Sequence, residues 1–258
     1  MDFTLKTYQA LLKSLITQNY YFLTMEEYFS HSVIKSNSHL HLIMRHDVDS
    51  KSQNALRMAK LESELGVKAT YYFRIIPKTF KPDIIKEIAD LEHEIGYHYE
   101  NMDTCNGSSN DAFEDFKKNL DKMRKLYPVK TICMHGSPMS KWDNREIWKK
   151  YDYRTLGINF EPYFDFDFND LYYITDTGRR WDGQETSIRD SVKSEIQWPQ
   201  YHSTNEIIYA LKEGTFPSCV LMTVHPQRWT NNLISWAKEL VSQNIKNIIK
   251  YFLIKYKN

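Results

Sequence analysis

Apolar positions recur along this chain in two rhythms. Leu5, Tyr8, Leu11, Leu12 and Leu15 fall on one side of a 3.6-residue period and predict an amphipathic helix over 5–15. The short apolar run 40–45 reads as a strand and ends in the polar cluster His46-Asp47-Val48-Asp49-Ser50. A helix is expected next, over 51–65, stopped by Gly66 just past its end. Strands are expected over 67–73, 95–99 and 130–134, with helices over 82–91, where proline opens the first turn, and over 111–126. Later come a helix over 207–212 and an apolar strand over 219–224 that ends at His225. Residues 232–257 carry Ile234, Ala237, Val241, Ile245, Ile248 and Phe252 on one stripe, which predicts a long amphipathic helix.

Strand and helix in alternation, with continuously apolar strands, predict an α/β fold with a mostly parallel sheet covered by helices. Polar residues close four of these strands: Asp47 with Asp49, His98, His135 and His225. All four sites lie at carboxyl ends, where a barrel gathers its chemistry, so a barrel is favoured over an open sheet. No repeat, low-complexity tract or linker interrupts the chain. The expected organisation is one domain over 1–258, with a helical extension at 1–39 and a barrel at 40–230. A C-terminal amphipathic helix at 231–258 is expected to pack on the barrel with its lysines in water.

Composition narrows the function. Of 258 residues, 41% are hydrophobic and 26% charged, enough for a sizeable core and a solvated surface. With 34 basic and 33 acidic residues, the net charge of +1 lacks the footprint of a general nucleic-acid binder. No run approaches the roughly 18 apolar residues needed to cross a bilayer. The first twenty residues lack a basic start, an apolar stretch and a small-residue cleavage site, so a cytoplasmic location is expected. Three widely spaced cysteines, Cys105, Cys133 and Cys219, argue against a disulfide framework or a zinc knuckle.

The strand-end residues can carry chemistry. Arg45, Asp47 and Asp49 alternate and share one face if the strand persists. One carboxylate could ligate a metal while the other takes a proton from water. The plainer reading is that Asp49 or Ser50 caps the following helix. His98, with Glu100 at the same parity, suits zinc or another first-row metal, although any single histidine of the nine could be a packed one. Asp165, Asp167 and Asn169 imitate the start of a calcium loop, but Asp170 stands where glycine is required, so calcium is not expected. The acidic and aromatic stretch 161–170, including Tyr163, could line a sugar pocket or supply core aromatics. Arg179 and Trp181, in a polar loop, are candidates for holding an anionic group and a sugar face.

Four segments carry a family resemblance: Arg45-His-Asp-Val-Asp49, Gly66-Val-Lys-Ala-Thr-Tyr-Tyr-Phe73, His93-Glu-Ile-Gly-Tyr-His98 and Val220-Leu-Met-Thr-Val-His225. In order and spacing they resemble the polysaccharide deacetylase superfamily, of the NodB-homology or carbohydrate esterase family 4 type, in particular its members in surface-polysaccharide biosynthesis. The resemblance implies a distorted, incomplete (β/α) barrel that removes N-acetyl groups from sugars with one divalent metal: zinc, with cobalt or nickel as alternatives. By position it implies Asp47 as catalytic base, Asp49 and His98 as metal ligands, and His225 as the late histidine that acts as, or supports, the general acid. The family places a second histidine four residues after the first, where this chain has Met102, and a thioether is a poor ligand beside carboxylate and imidazole. The third ligand must then come from elsewhere, or no metal binds; His135, as ligand or as orienter of Asp47, is favoured, with Glu100 and Asp103 as alternatives.

The leading expectation is a metal-dependent hydrolase that removes an N-acetyl group from a sugar intermediate of surface polysaccharide synthesis. Its rivals are a metal-independent C–N hydrolase of the same fold and a non-catalytic carbohydrate-binding relative. A glycosyltransferase using Asp47-Val-Asp49 as a D-x-D motif would leave the histidines without a purpose. The expected partner is a sugar or glycan intermediate, with no nucleic acid. Lys238, Lys246, Lys250, Lys255 and Lys257 also allow the last helix to lie on an anionic membrane surface.

Overall fold

The computed structural model describes residues 1–30, 40–137, 140–182 and 192–255. Residues 31–39 of the expected extension, Pro138 and residues 256–258 of the expected last helix lie outside the described residues. Seven strands are β1 (Tyr21–Leu23), β2 (His41–Val48), β3 (Thr70–Phe73), β4 (Glu94–Tyr99), β5 (Ile132–Met134), β6 (Tyr172–Thr175) and β7 (Cys219–Val224). All pair in parallel, in the order β5-β4-β3-β2-β7-β6, with β1 added beside the first half of β2. Among the described residues β5 and β6 do not pair with each other, so the curled sheet is an incomplete barrel, as the sequence led us to expect. Every strand therefore ends on the same side.

Helices α1 (Leu5–Thr17), α3 (Ser52–Glu64), α4 (Pro82–Asp90), α6 (Ser109–Arg124) and α8 (Thr204–Lys212) cover the outer face. The stripe on α1 buries Tyr8, Leu11, Leu12 and Leu15, and Thr4 caps its start by accepting from the Thr7 amide at 3.0 Å. Gly66, at φ +71°, ends α3 in the left-handed conformation that a side chain would strain. Shorter helices are α2 (Met25–Ser30), α5 (Asn101–Thr104) and α7 (Pro162–Asp165), and α9 (Leu233–Lys255) closes the fold.

The two-residue period of the strands divides the side chains between two cores. Leu42, Met44 and Val48 of β2, Tyr71 and Phe73 of β3 and Tyr97 and Tyr99 of β4 pack outward under the helices. Ile43, Tyr72, Cys133, Tyr173 and Leu221 form a smaller cluster inside the curve. Arg45 and Asp47 share the parity of Ile43, and His98 shares that of Gly96, so the interior receives the charged residues. Gly96 is required there, because a Cβ would collide with the Tyr72 ring.

Three parts differ from expectation. The helical extension also contributes β1 to the sheet, and β6 follows the acidic and aromatic stretch; strands of three and four residues are too short to show a period. Phe168 of that stretch is core while Phe164 is exposed. The third difference is α9, which sits on the barrel by the face opposite its apolar stripe. Trp236 donates to Asp2 O at 2.7 Å and Asn247 to Gly178 O at 3.0 Å, Gln243 is buried, and the described members of the stripe face out.

His46 has the other parity and joins a buried polar knot. Its Nε2 lies 2.7 Å from Glu62 Oε1 on α3, Tyr71 donates to Oε2 at 2.7 Å, and Tyr8 of α1 also donates to Oε1. Burial alone would raise the Glu62 carboxyl, but His46, His93 and Tyr8 bring it below its ordinary value. One carboxylate thus ties α1, α3, β2 and β3 together. Removing it strands buried donors, so Glu62→Ala is expected to lower the unfolding free energy in urea by about 3–5 kcal/mol, with a smaller loss for Glu62→Gln.

Candidate active site

The carboxyl end of β2 supplies the charges. Arg45 forks Asp47, with Nε to Oδ1 at 2.8 Å and an η-nitrogen to Oδ2 at 2.6 Å, both side chains being buried. Burial would raise the Asp47 carboxyl, but Arg45 first, then His98, holds it down at about 2. Asp49 does not cap α3: the residue before that helix is Lys51, with φ 53° and no side-chain capping bond. The carboxylate faces three imidazoles instead. Its Oδ1 lies 3.5 Å from His98 Nε2 and 3.5 Å from His135 Nε2, and its Oδ2 lies 3.9 Å from His225 Nε2. The three histidines, against the cost of burial, set the Asp49 carboxyl well below its usual range.

Each imidazole is held from behind. His98 Nδ1 lies 2.9 Å from Cys133 O, a partner that can only accept, so Nδ1 donates and Nε2 is turned inward. His135 follows β5 and is positioned by its amide, which donates to Tyr99 O at 2.8 Å. Its Nδ1 is 3.2 Å from Glu100 Oε2, and Arg74 in turn grips both Glu100 oxygens. Burial would raise Glu100, yet His135 and Arg74 lower it to about 2. His225 follows β7, and its Nδ1 is 2.6 Å from Asp176 Oδ1. Asp176 is enclosed and accepts from Trp229 Nε1 at 2.8 Å, from the His225 amide at 3.0 Å and from Arg228 at 2.5 Å. Burial notwithstanding, Arg228 and His225 keep Asp176 below its ordinary value.

These groups open into a cavity of about 990 Å³ lined by Asp47, Asp49, His98, His135, His225 and Tyr163. The structure thus gathers both expected catalytic residues, all three expected ligands and one expected substrate residue. Tyr163 forms wall, with the Arg45 guanidinium 5.6 Å and the Arg145 guanidinium 5.2 Å from its ring centre. Two alternatives for the third ligand are otherwise engaged: Glu100 orients His135, and Asp103 holds Asn144 and Ser140. Met102 is buried in the core.

Arg179 and Trp181 are not brought to the cavity. Arg179 lies between the rings of Phe3 and Trp236, 4.9 Å from each centre, and Trp181 is buried with Nε1 donating to Thr204 Oγ1 at 2.9 Å. Both are packed inside the fold, Trp181 through that bond and Arg179 with one η-nitrogen donating to Arg228 O at 3.4 Å, which a polar loop sequence conceals. Sequence reasoning missed Asp176, which ends the unrecognised β6, and Gln227, whose Nε2 donates to Asp49 Oδ2 at 3.0 Å. Asp176 was discoverable as a fifth strand-end polar residue; Gln227 carried no signal.

The donors fit a divalent cation. Asp49 Oδ1 is buried and accepts no hydrogen bond among the described residues, although two imidazole nitrogens stand 3.5 Å away. One atom each of Asp49, His98 and His135 lies within 4.8 Å of the others. Asp47, His98 and Cys133 meet the same test, but both Asp47 oxygens are taken by Arg45, whose charge opposes a second cation. One carboxylate and two imidazoles with room for water form a suitable set for a catalytic zinc.

No protein-family model and no curated protein matches the sequence. Solved structures do. The chain is similar to the Streptococcus pyogenes deacetylase PplD in complex with acetate, at 16% identity and TM-score 0.42, over 50% of this chain and 61% of that one. It is similar to a CE4 family pseudoenzyme from Bacillus anthracis at 14% identity and TM-score 0.45, over 83% and 62%. A third is Bacillus subtilis PdaA, a family 4 carbohydrate esterase, at 10% identity and TM-score 0.43, over 92% and 83%. Two of these three structures are described as family 4 carbohydrate esterases. The chain covers less than two thirds of the first two.

The Asp47 carboxyl generates an acid-stability prediction. Its folded value near 2 lies below the ordinary 3.8, so its contribution is complete above about 3.8 and vanishes as pH falls through about 2. Urea unfolding followed across that window should show Asp47→Asn losing less stability on acidification than the parent, by about 2 kcal/mol.

Proposed function

We propose that this chain is a metal-dependent N-deacetylase of the polysaccharide deacetylase superfamily, acting on an N-acetylated sugar intermediate of surface polysaccharide synthesis in the cytoplasm. The observation that carries the metal site is Asp49 Oδ1, buried without a hydrogen-bond donor among the described residues and facing His98 Nε2 and His135 Nε2. The sugar substrate and the acetyl group rest on the sequence resemblance. Asp49, His98 and His135 would hold the ion, with Gln227 fixing the Asp49 carboxylate and Glu100 and Cys133 O fixing the rings. A bound zinc would polarise the acetyl carbonyl and make water acidic enough to be a nucleophile near neutral pH.

The protein's own groups divide the remaining work. Asp47 accepts the proton of the attacking water; Arg45 keeps its carboxylate ionised and aimed into the cavity. A carboxylate held near 2 is a weak base, so the water it deprotonates must itself be acidified, in agreement with a cation site next to it. His225 Nε2 protonates the departing amine nitrogen, while Asp176 holds the opposite nitrogen and stabilises the charged ring. Tyr163 offers the C–H face of a sugar an aromatic wall.

Acetate release is the decisive assay, run on N-acetyl sugars that are free, nucleotide-linked and lipid-linked. Activity should disappear on chelation and return with zinc, cobalt or nickel. Asp47→Asn should lower kcat by about 10²–10⁴-fold with metal content retained. Asp49→Ala, His98→Ala and His135→Ala should each lose the ion by elemental analysis. Hydrolysis that persists after chelation would instead assign a metal-independent reaction, and turnover by Asp47→Asn would sink the role given to that residue.

A further inference from the structure

The outer face of α9, away from the catalytic groups, is apolar and exposed. Leu233, Ile234, Val241, Ile245, Ile248 and Ile249 are 66, 67, 59, 54, 58 and 46% exposed. On a 3.6-residue period they fall on one continuous side of the helix. That orientation is fixed by the seat beneath it. Trp236, Gln243 and Asn247 bond on the inner side, and Lys51 pairs with Glu239 at 3.5 Å. The polar side of α9 is therefore committed to the barrel, and a run of aliphatic side chains is left for a partner.

We propose that this face docks on an anionic lipid surface. Charge selects that occupant. From Leu240 to Asn258 the sequence contains no acidic residue and four lysines, Lys246, Lys250, Lys255 and Lys257. Lys238, four residues after Ile234 and three before Val241, is exposed on the stripe itself, where a second copy would bury its charge and an anionic headgroup neutralises it. An aliphatic stripe beside lysines on a helix of 23 residues is the pattern of a helix lying in the interface plane. Among the described residues no helix is long and apolar enough to cross a membrane, so attachment through α9 is peripheral. Glu239, Gln243, Lys246 and Ile249 of the same helix line the cavity. Docking would therefore set the lipid surface at the cavity rim, within reach of a sugar carried on a lipid.

Vesicle co-sedimentation of the full chain tests this without reference to catalysis. The chain should pellet with vesicles of phosphatidylglycerol and phosphatidylcholine, less with phosphatidylcholine alone, and less in high salt. The double variant Val241→Glu with Ile245→Glu, at exposed positions, should keep its melting temperature and bind the mixed vesicles at least about tenfold more weakly. Equal pelleting by parent and variant, or none by either, would overturn the proposal. So would a dimer in sedimentation equilibrium that the same double variant dissolves, since a second copy would then be covering the stripe.

Discussion

Arg45 and Asp47, two residues apart on the central strand, neutralise each other inside the barrel, and the site is arranged around that pair. Burying either charge alone would cost several kcal/mol, whereas the forked geometry satisfies both oxygens of the carboxylate. Their pairing leaves Asp49, the next residue of the same parity, as a carboxylate paired with imidazoles but, among the described residues, with no lysine or arginine. Three imidazole nitrogens lie around it, none nearer than 3.5 Å. Asp49 Oδ1 is thus the strand-end oxygen at which a cation fits.

The three histidines share a design. Each presents Nε2 toward Asp49 and has Nδ1 held by a fixed oxygen: a carbonyl for His98, Glu100 for His135 and Asp176 for His225. The difference between those oxygens separates their work. A carbonyl accepts from Nδ1 of His98 and leaves its Nε2 toward Asp49, the orientation a ligand needs. Asp176, itself secured by Trp229 and Arg228, would stabilise a positive charge on the His225 ring, as the proposed general-acid role requires. Glu100 is tied to Arg74, so its charge is shared between a cation and the His135 ring.

Much of this was legible in the chain because strand parity is rigid. Once β2 is a strand, Arg45, Asp47 and Asp49 must share a side, and carboxyl-terminal placement collects His98, His135 and His225 from separate strands. Asp176 escaped because β6 has four residues and follows an aromatic stretch without a clear period. Arg179 and Trp181 misled because loop composition does not disclose burial. With α9 the helix was read correctly and its outward side was not. Amphipathicity shows that a helix has two sides, but tertiary hydrogen bonds chose the polar one as the seat.

Met102 in place of a histidine has a mechanical side. A ligand pair one turn apart would belong to a single segment, so an ion could bind there with little effect on the rest of the sheet. Here the three candidate ligands come from the residue after β2, from within β4 and from the residue after β5, and β5 is a three-residue strand at the open end of the sheet. An ion held by all of them is also a cross-brace between the middle of the barrel and its least supported strand. Local opening of that edge would release the ion, and occupancy would stiffen the edge in return, so that metal binding at the proposed site and the fraying of the rim would be one equilibrium.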